Sequence, residues 1–202
     1  MKKLSTKGAL LFASAIAVCA FALPAMASAA TWHGPFPSTH LLDAPGTNNP
    51  NNRLSITRDA APPSGGWVCG FAQFHLDILS PTDARVTNFV TNGCHGTGLF
   101  INCTVTLKAG NLPWTVTNPS THDIEIHDID ITEQYENTPG SASACAAPVT
   151  ITTTGTLRNG TWTNPGHELE FNNAPGLITH PAGADGFSGT FVDTSGNLLM
   201  TD

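Results

Sequence analysis

Apolar residues recur in this chain at every second position, and no stretch shows the spacing of a helix. In WVCGFAQFHLDIL, Phe74, Leu76 and Ile78 fall on one side while Gln73, His75 and Asp77 fall on the other. Successive side chains of a strand point to opposite faces, so the alternation predicts a half-buried β-strand. LSITR over residues 54–58, ARVTNFV after the break at Ser80-Pro81, VTITTTGTL, HELEF, GFSGTFV and NLLM read the same way. From Leu99 to Leu107 the odd positions are apolar, which sends Cys103 into the core and turns Phe100 and Asn102 outward. Beyond the turn KAGN, Leu112, Trp114 and Val116 share one face. Asn159-Gly160 is the strongest short hairpin signal available, and a two-residue loop there sets Leu157 opposite Trp162. Eight to eleven short strands separated by turn residues predict an all-β fold, an antiparallel β-sandwich stabilised by disulfides.

The ends of the chain suggest a compartment. Lys2, Lys3 and Lys7 precede an apolar run from Ala9 to Leu23, and Pro24 then leads into AMASAA. Residues 1–30 therefore read as a signal peptide cleaved near Ala29 or Ala30. The run is too short to span a membrane, and no second one follows, so the expectation is a secreted protein without membrane insertion. Residues 31–53 are rich in Pro, Gly and Asn and read as an arm with at most one short strand. Residues 54–202 read as a single β domain.

Three of the eight basic residues lie in the signal, leaving five against fifteen acids and a net charge of −10. Lys108 is then the one remaining lysine. Nucleic-acid binding draws its affinity from Lys and Arg neutralising phosphates, so nucleic acid, anionic membranes and phosphorylated ligands are excluded as partners. Charged residues make up 11% of the chain, well under the usual quarter or so. Thr, Gly, Asn and Pro take their place, as suits strands joined by tight turns.

Four cysteines follow the signal: Cys69, Cys94, Cys103 and Cys145. An even number in an exported chain, with no CxxC pair to hold zinc, predicts two disulfides. Short loops close most easily, which favours Cys94–Cys103 with Cys69–Cys145.

The chain also echoes itself. TLKAGNLPWTVTNPSTHDIEI, from Thr106, and TLRNGTWTNPGHELEF, from Thr156, both run Thr-Leu-basic, turn, Trp-Thr, Asn-Pro, then His-acid-apolar-Glu-apolar. One hairpin-plus-strand unit used twice would give this pattern. Thr-x-Thr pairs, as at Thr104/Thr106 and Thr150/Thr152, resemble the threonine ladders of ice-binding proteins. Without a fixed repeat they read as ordinary wet strand surface.

The most suggestive stretch for chemistry is THDIEIHDIDITEQYE, residues 121–136. Ile124 and Ile126 share a face, and Ile129 and Ile131 continue it one position out of phase, which predicts a β-bulge at His127-Asp128. Asp123, Glu125, Asp128 and Asp130 then form an outward row, with Glu133 and Glu136 in a following loop. Hard oxygen ligands suit calcium, so these four are the weak metal candidates. Alternate residues on a strand stand nearly 7 Å apart, however, and no DxDxDG loop is present to wrap an ion. The row therefore reads as a solvated strand face that discourages edge pairing. His122 and His167 fall on the apolar side of their strands and read as caps on the core that bond backbone carbonyls. No GxSxG surrounds any serine. The resulting expectation is a non-catalytic binding or structural component of the cell envelope or extracellular space, without cofactor, partnered by an envelope or extracellular protein or glycan. The alternative is a secreted hydrolase or calcium-dependent carbohydrate binder built on the Asp123–Asp130 strand.

Overall fold

The computed structural model describes residues 29–45, 53–58, 65–140, 145, 149–180 and 184–202. Apart from Ala29 and Ala30, the segment read as a signal peptide lies outside these. Twelve strands follow in order: β1 (Thr31–His33), β2 (Ser38–Pro45), β3 (Ser55–Arg58), β4 (Trp67–Ser80), β5 (Asp83–Gly96), β6 (Cys103–Gly110), β7 (Trp114–Ser120), β8 (Asp123–Asn137), β9 (Val149–Thr163), β10 (Glu168–His180), β11 (Ala184–Asp193) and β12 (Leu199–Thr201). The stretch expected to be an arm thus supplies two strands.

All pairings are antiparallel, and the ten strands β2 to β11 close on themselves. Both β2 and β3 pair with β4 on one side and β11 on the other. They are two halves of one stave. β6 and β7 likewise share the position between β5 and β8. The result is an eight-staved up-and-down barrel, not the expected sandwich. Bulges supply the curvature that alternation could not reveal. Asp128, Asn159 and Asn173 take φ of 60°, 59° and 47°, and the pairings around β8, β9 and β10 shift register near them. Closure leaves the barrel no edge strand to protect.

Asn159-Gly160 is one of these bulges rather than a hairpin. A type I′ turn needs positive φ at both central residues, whereas only Asn159 adopts it. β9 runs on through the pair, and Leu157 and Trp162 both point inward from the same strand. Where β9 meets β10 the backbones approach closely. A Cβ on Gly176 would stand 1.9 Å from the Thr156 carbonyl oxygen, and one on Gly155 would stand 2.2 Å from that of Gly176. The Leu99–Leu107 strand also starts later than expected. Gly98–Phe100 forms a 3₁₀ turn, which buries Phe100 and exposes Leu99 and Ile101.

The bore is filled. At its centre Phe74 stacks on Phe191 with ring centroids 4.3 Å apart, Phe89 and Trp114 pack around them, and Phe171 meets Phe187 edge to face. β1 and β12 pair as a separate ribbon across one end. From that ribbon Trp32 and Met200 are buried, and Trp32 meets Trp162 edge to face at 5.4 Å. Two asparagines tether the ribbon: the Asn118 amide donates to the Ala30 carbonyl, and the Asn164 amide to that of Met200. These are the asparagines of the two echoed Asn-Pro corners, so both copies of the sequence echo perform the same structural task.

Disulfides join Cys69 to Cys94 and Cys103 to Cys145, which corrects the pairing expected from loop length. Register decides the matter. Cys69 and Cys94 stand directly opposite each other on β4 and β5, which leaves Cys103 of β6 to pair with Cys145. Proteolysis without reductant, followed by mass spectrometry, should recover those two linked peptide pairs and no alkylatable thiol among the four cysteines. Loss of either bridge should cost roughly 2–4 kcal/mol of stability.

Candidate functional site

Inward parity carries polar residues to the end of the bore away from the ribbon. Ile56 and Arg58 point in from β3; after the Asp128 bulge, Ile129, Ile131, Glu133 and Tyr135 point in from β8. Thr153 of β9, Thr179 of β10 and Asp185 of β11 complete the group. None of these six polar residues is more than 5% exposed. Glu133, expected in an exposed loop, is fully buried because β8 continues to Asn137 and keeps its parity.

Arg58 organises the cluster. Its Nη2 forms an ion pair with Glu133 Oε2, and its Nη1 donates to Tyr135 Oη at 2.9 Å and to the Gly65 carbonyl at 3.4 Å. Its Nε donates to Thr179 Oγ1 at 2.9 Å. Glu133 also accepts from the Tyr135 hydroxyl at 2.7 Å and the Thr153 hydroxyl at 2.8 Å. Thr153 and Thr179 lie 3.1 Å apart, and Thr179 shares a hydrogen bond with Asp185 Oδ2. Asp185 Oδ1 is buried 3.8 Å from Arg58 Nε, without a hydrogen-bond partner among the described residues. Phe100 roofs the group, its ring 4.3 Å from that of Tyr135.

Burial sets the ionisation here. It pushes the Tyr135 hydroxyl far up, aided by the adjacent Glu133 carboxylate, so Tyr135 stays neutral. Burial alone would lower the Arg58 pKa, but Glu133 and Tyr135 together hold it above the ordinary value. Chemically, the arrangement offers a fixed guanidinium, an ionised carboxylate and a second carboxyl group in a water-poor setting.

A second cluster sits inside the ribbon end. His40 of β2 is buried, with Nε2 3.1 Å from Ser38 Oγ and Nδ1 3.3 Å from Ser195 Oγ and 3.4 Å from Asp193 Oδ1. Asp193 accepts from the Ser195 hydroxyl at 2.7 and 2.9 Å, and from the backbone N–H of Ser195, Asn197 and Leu198. Burial would raise its pKa; those donors outweigh burial and bring it below the ordinary value. The order serine, histidine, buried acid is that of a nucleophile, a base and its orienting group. In sequence nothing marks it, since Ser38 and His40 lie in the presumed arm.

The acidic row stands on the outer wall. Asp128 occupies the bulge and is exposed, as its phase shift predicts. Glu125 faces His127 at 3.3 Å and Arg158 at 3.8 Å, and His127 in turn meets Thr117 and Thr156. Asp130 accepts from the Asn111 amide at 3.0 Å, and Asp123 is half-buried opposite Ser120. Among the described residues no three His, Cys, Asp or Glu side chains are grouped to hold a metal. The His167 Nδ1–H donates to the Leu198 carbonyl, 2.8 Å away, as a cap should, whereas His122 is exposed and bonds Thr121.

Arg58, Tyr135, Thr153, Thr179 and Asp185 were not among the residues that sequence singled out. The usable signal was parity: Leu54, Ile56 and Arg58 share a side, as do Ile131, Glu133 and Tyr135. The chain matches no known family model, curated protein or solved structure.

Two outcomes follow from this geometry. Arg58→Met or Glu133→Leu alone should cost about 3–5 kcal/mol, because each strands a buried charge, while the double variant should recover much of that loss. Chemical denaturation of the four proteins in the cycle measures the coupling. On the outer wall, millimolar calcium should raise the melting temperature no more than magnesium at equal ionic strength, since Glu125 and Asp130 are already engaged and a strand row supplies too few ligands. A calcium-specific rise of several degrees that Asp128→Asn removes would make the row a metal site.

Proposed function

We propose that the protein is an exported, non-catalytic β-barrel that acts in the cell envelope or its surroundings by binding or assembly through its outer wall. The carrying observation is the filled bore: aromatic rings at the centre, the Arg58 network at one end and the β1–β12 ribbon at the other. Ligand-carrying barrels keep an open interior, so recognition falls to the outside.

Export is supported by the basic and apolar leader with its AMASAA end and by two disulfides, which suit an oxidising compartment. Against membrane insertion stands the polarity of the walls. A lipid-facing barrel turns its apolar side outward, whereas here Thr39, Gln73, His75, Asp77 and Glu125 face out and the apolar side chains fill the bore. Of the five basic residues beyond the leader, Arg58 is committed to the interior, which weakens further any case for nucleic acid. An envelope or extracellular protein or glycan fits a wall of hydroxyl, amide and carboxylate groups.

A second reading, a secreted hydrolase, draws on the Ser38–His40–Asp193 order. Purified protein should bind isolated envelope material saturably and turn over none of a panel of glycan, ester and peptide substrates. Turnover abolished by Ser38→Ala, together with covalent labelling of Ser38 by a fluorophosphonate that His40→Gln prevents, would replace the first reading with the second.

A further inference from the structure

Counting hydrogens in the bore locates one that the ion pair does not account for. Thr153 and Thr179 each own a single hydroxyl hydrogen. That of Thr153 is spent on Glu133 Oε1. The 3.1 Å contact between Thr153 and Thr179 must then take its hydrogen from Thr179. With that hydrogen gone, the bond between Thr179 and Asp185 Oδ2 needs one from Asp185. If Asp185 were ionised, one of the two contacts would set lone pair against lone pair. With Asp185 protonated, the chain Asp185 to Thr179 to Thr153 to Glu133 is satisfied link by link, and Thr179 still accepts from Arg58 Nε.

The two carboxyl groups are unequal in the same sense. Glu133 receives donors from Arg58, Tyr135 and Thr153, as an ionised carboxylate requires. Among the described residues Asp185 has one hydrogen bond on Oδ2 and none on Oδ1. One guanidinium faces both, so a second buried anion would be uncompensated.

We infer that the barrel holds a proton on Asp185, and that this proton makes the fold an acid-favouring device whose Arg58 end loosens as the proton is drawn off. Among the described residues the groups facing Asp185 are Arg58 from β3, Glu133 and Tyr135 from β8, Thr153 from β9 and Thr179 from β10. Burial raises the pKa of Asp185 and Glu133 adds to this, against smaller lowering by Thr179, Arg58 and Thr153. In the unfolded chain Asp185 ionises near the ordinary aspartate value of about 3.9. Its contribution to stability is therefore full below that pH and is lost as pH rises toward the elevated folded value. Asp193 and Asp202 have lowered pKa values and act in the opposite direction, toward acid.

Comparison with Asp185→Asn separates these effects, because the amide donates to Thr179 at every pH. From about pH 4 upward, wild type should lose stability relative to Asp185→Asn by up to tenfold in the folding constant per pH unit, with the slope ending at the folded pKa. A difference that stays flat, or that moves in favour of wild type, overturns the inference. Wild type labelled with carboxyl-¹³C aspartate gives a readout that needs no variant. As pH is raised through the ordinary aspartate range near about 3.9, one aspartyl carbon should keep its protonated position after the other aspartates have moved to theirs for the ionised form. A titration in which no aspartyl carbon lags behind the ordinary aspartate value refutes the assignment.

Discussion

One guanidinium crosses the bore, and the architecture is arranged around the crossing. Arg58 leaves β3 and meets Glu133 of β8, four staves away around a ring of eight. No backbone ladder links those two walls, since ladder bonds join only neighbours. The ion pair ties opposite sides of the barrel directly, and Thr179 and Asp185 extend the tie to β10 and β11. A buried pair of this kind adds little stability over apolar side chains of equal volume. Its effect here is geometric. A one-residue slip of β3 or β8 would turn Arg58 or Glu133 outward and leave its partner charged in the core, so the pair penalises every neighbouring register.

The opposite end of the barrel reaches closure by different means. There the ribbon brings Trp32 and Met200 down onto Trp162, and the Asn118 and Asn164 side chains hold it by its carbonyls. The Asp202 carboxylate adds a further tether, accepting from the Thr121 N–H at 2.7 Å and its hydroxyl at 2.9 Å. Apolar burial and carboxylate hydrogen bonds share this cap, while a buried ion pair ties the other.

Much of this was legible in sequence. Alternation located the strands, and the phase slip between Ile126 and Ile129 placed the Asp128 bulge correctly, because a bulge leaves its trace in the order of apolar residues. Closure was not legible. Whether a sheet curls into a barrel depends on bulges at Asn159 and Asn173 and on the close approach at Gly155 and Gly176, and each of these resembles a turn signal when read locally. Asn159-Gly160 misled for that reason. The interior network was missed because charged residues were assigned to the outside by type. Arg58 and Glu133 obey the same period of two as their apolar neighbours, and that period, not their charge, determines where they point.

The same reasoning explains why the acidic strand drew attention and the bore did not. Asp123, Glu125, Asp128 and Asp130 are conspicuous as a group in sequence, yet on a strand their spacing keeps them apart and their outward direction keeps them solvated. Glu133, three residues further on, is one acid among several in the text of the chain. In three dimensions it is the one of that stretch removed wholly from water, facing a guanidinium and accepting two hydroxyl hydrogens. Desolvation multiplies what each such contact is worth. The bore thus concentrates electrostatic consequence in residues that are scattered from 58 to 185 along the chain.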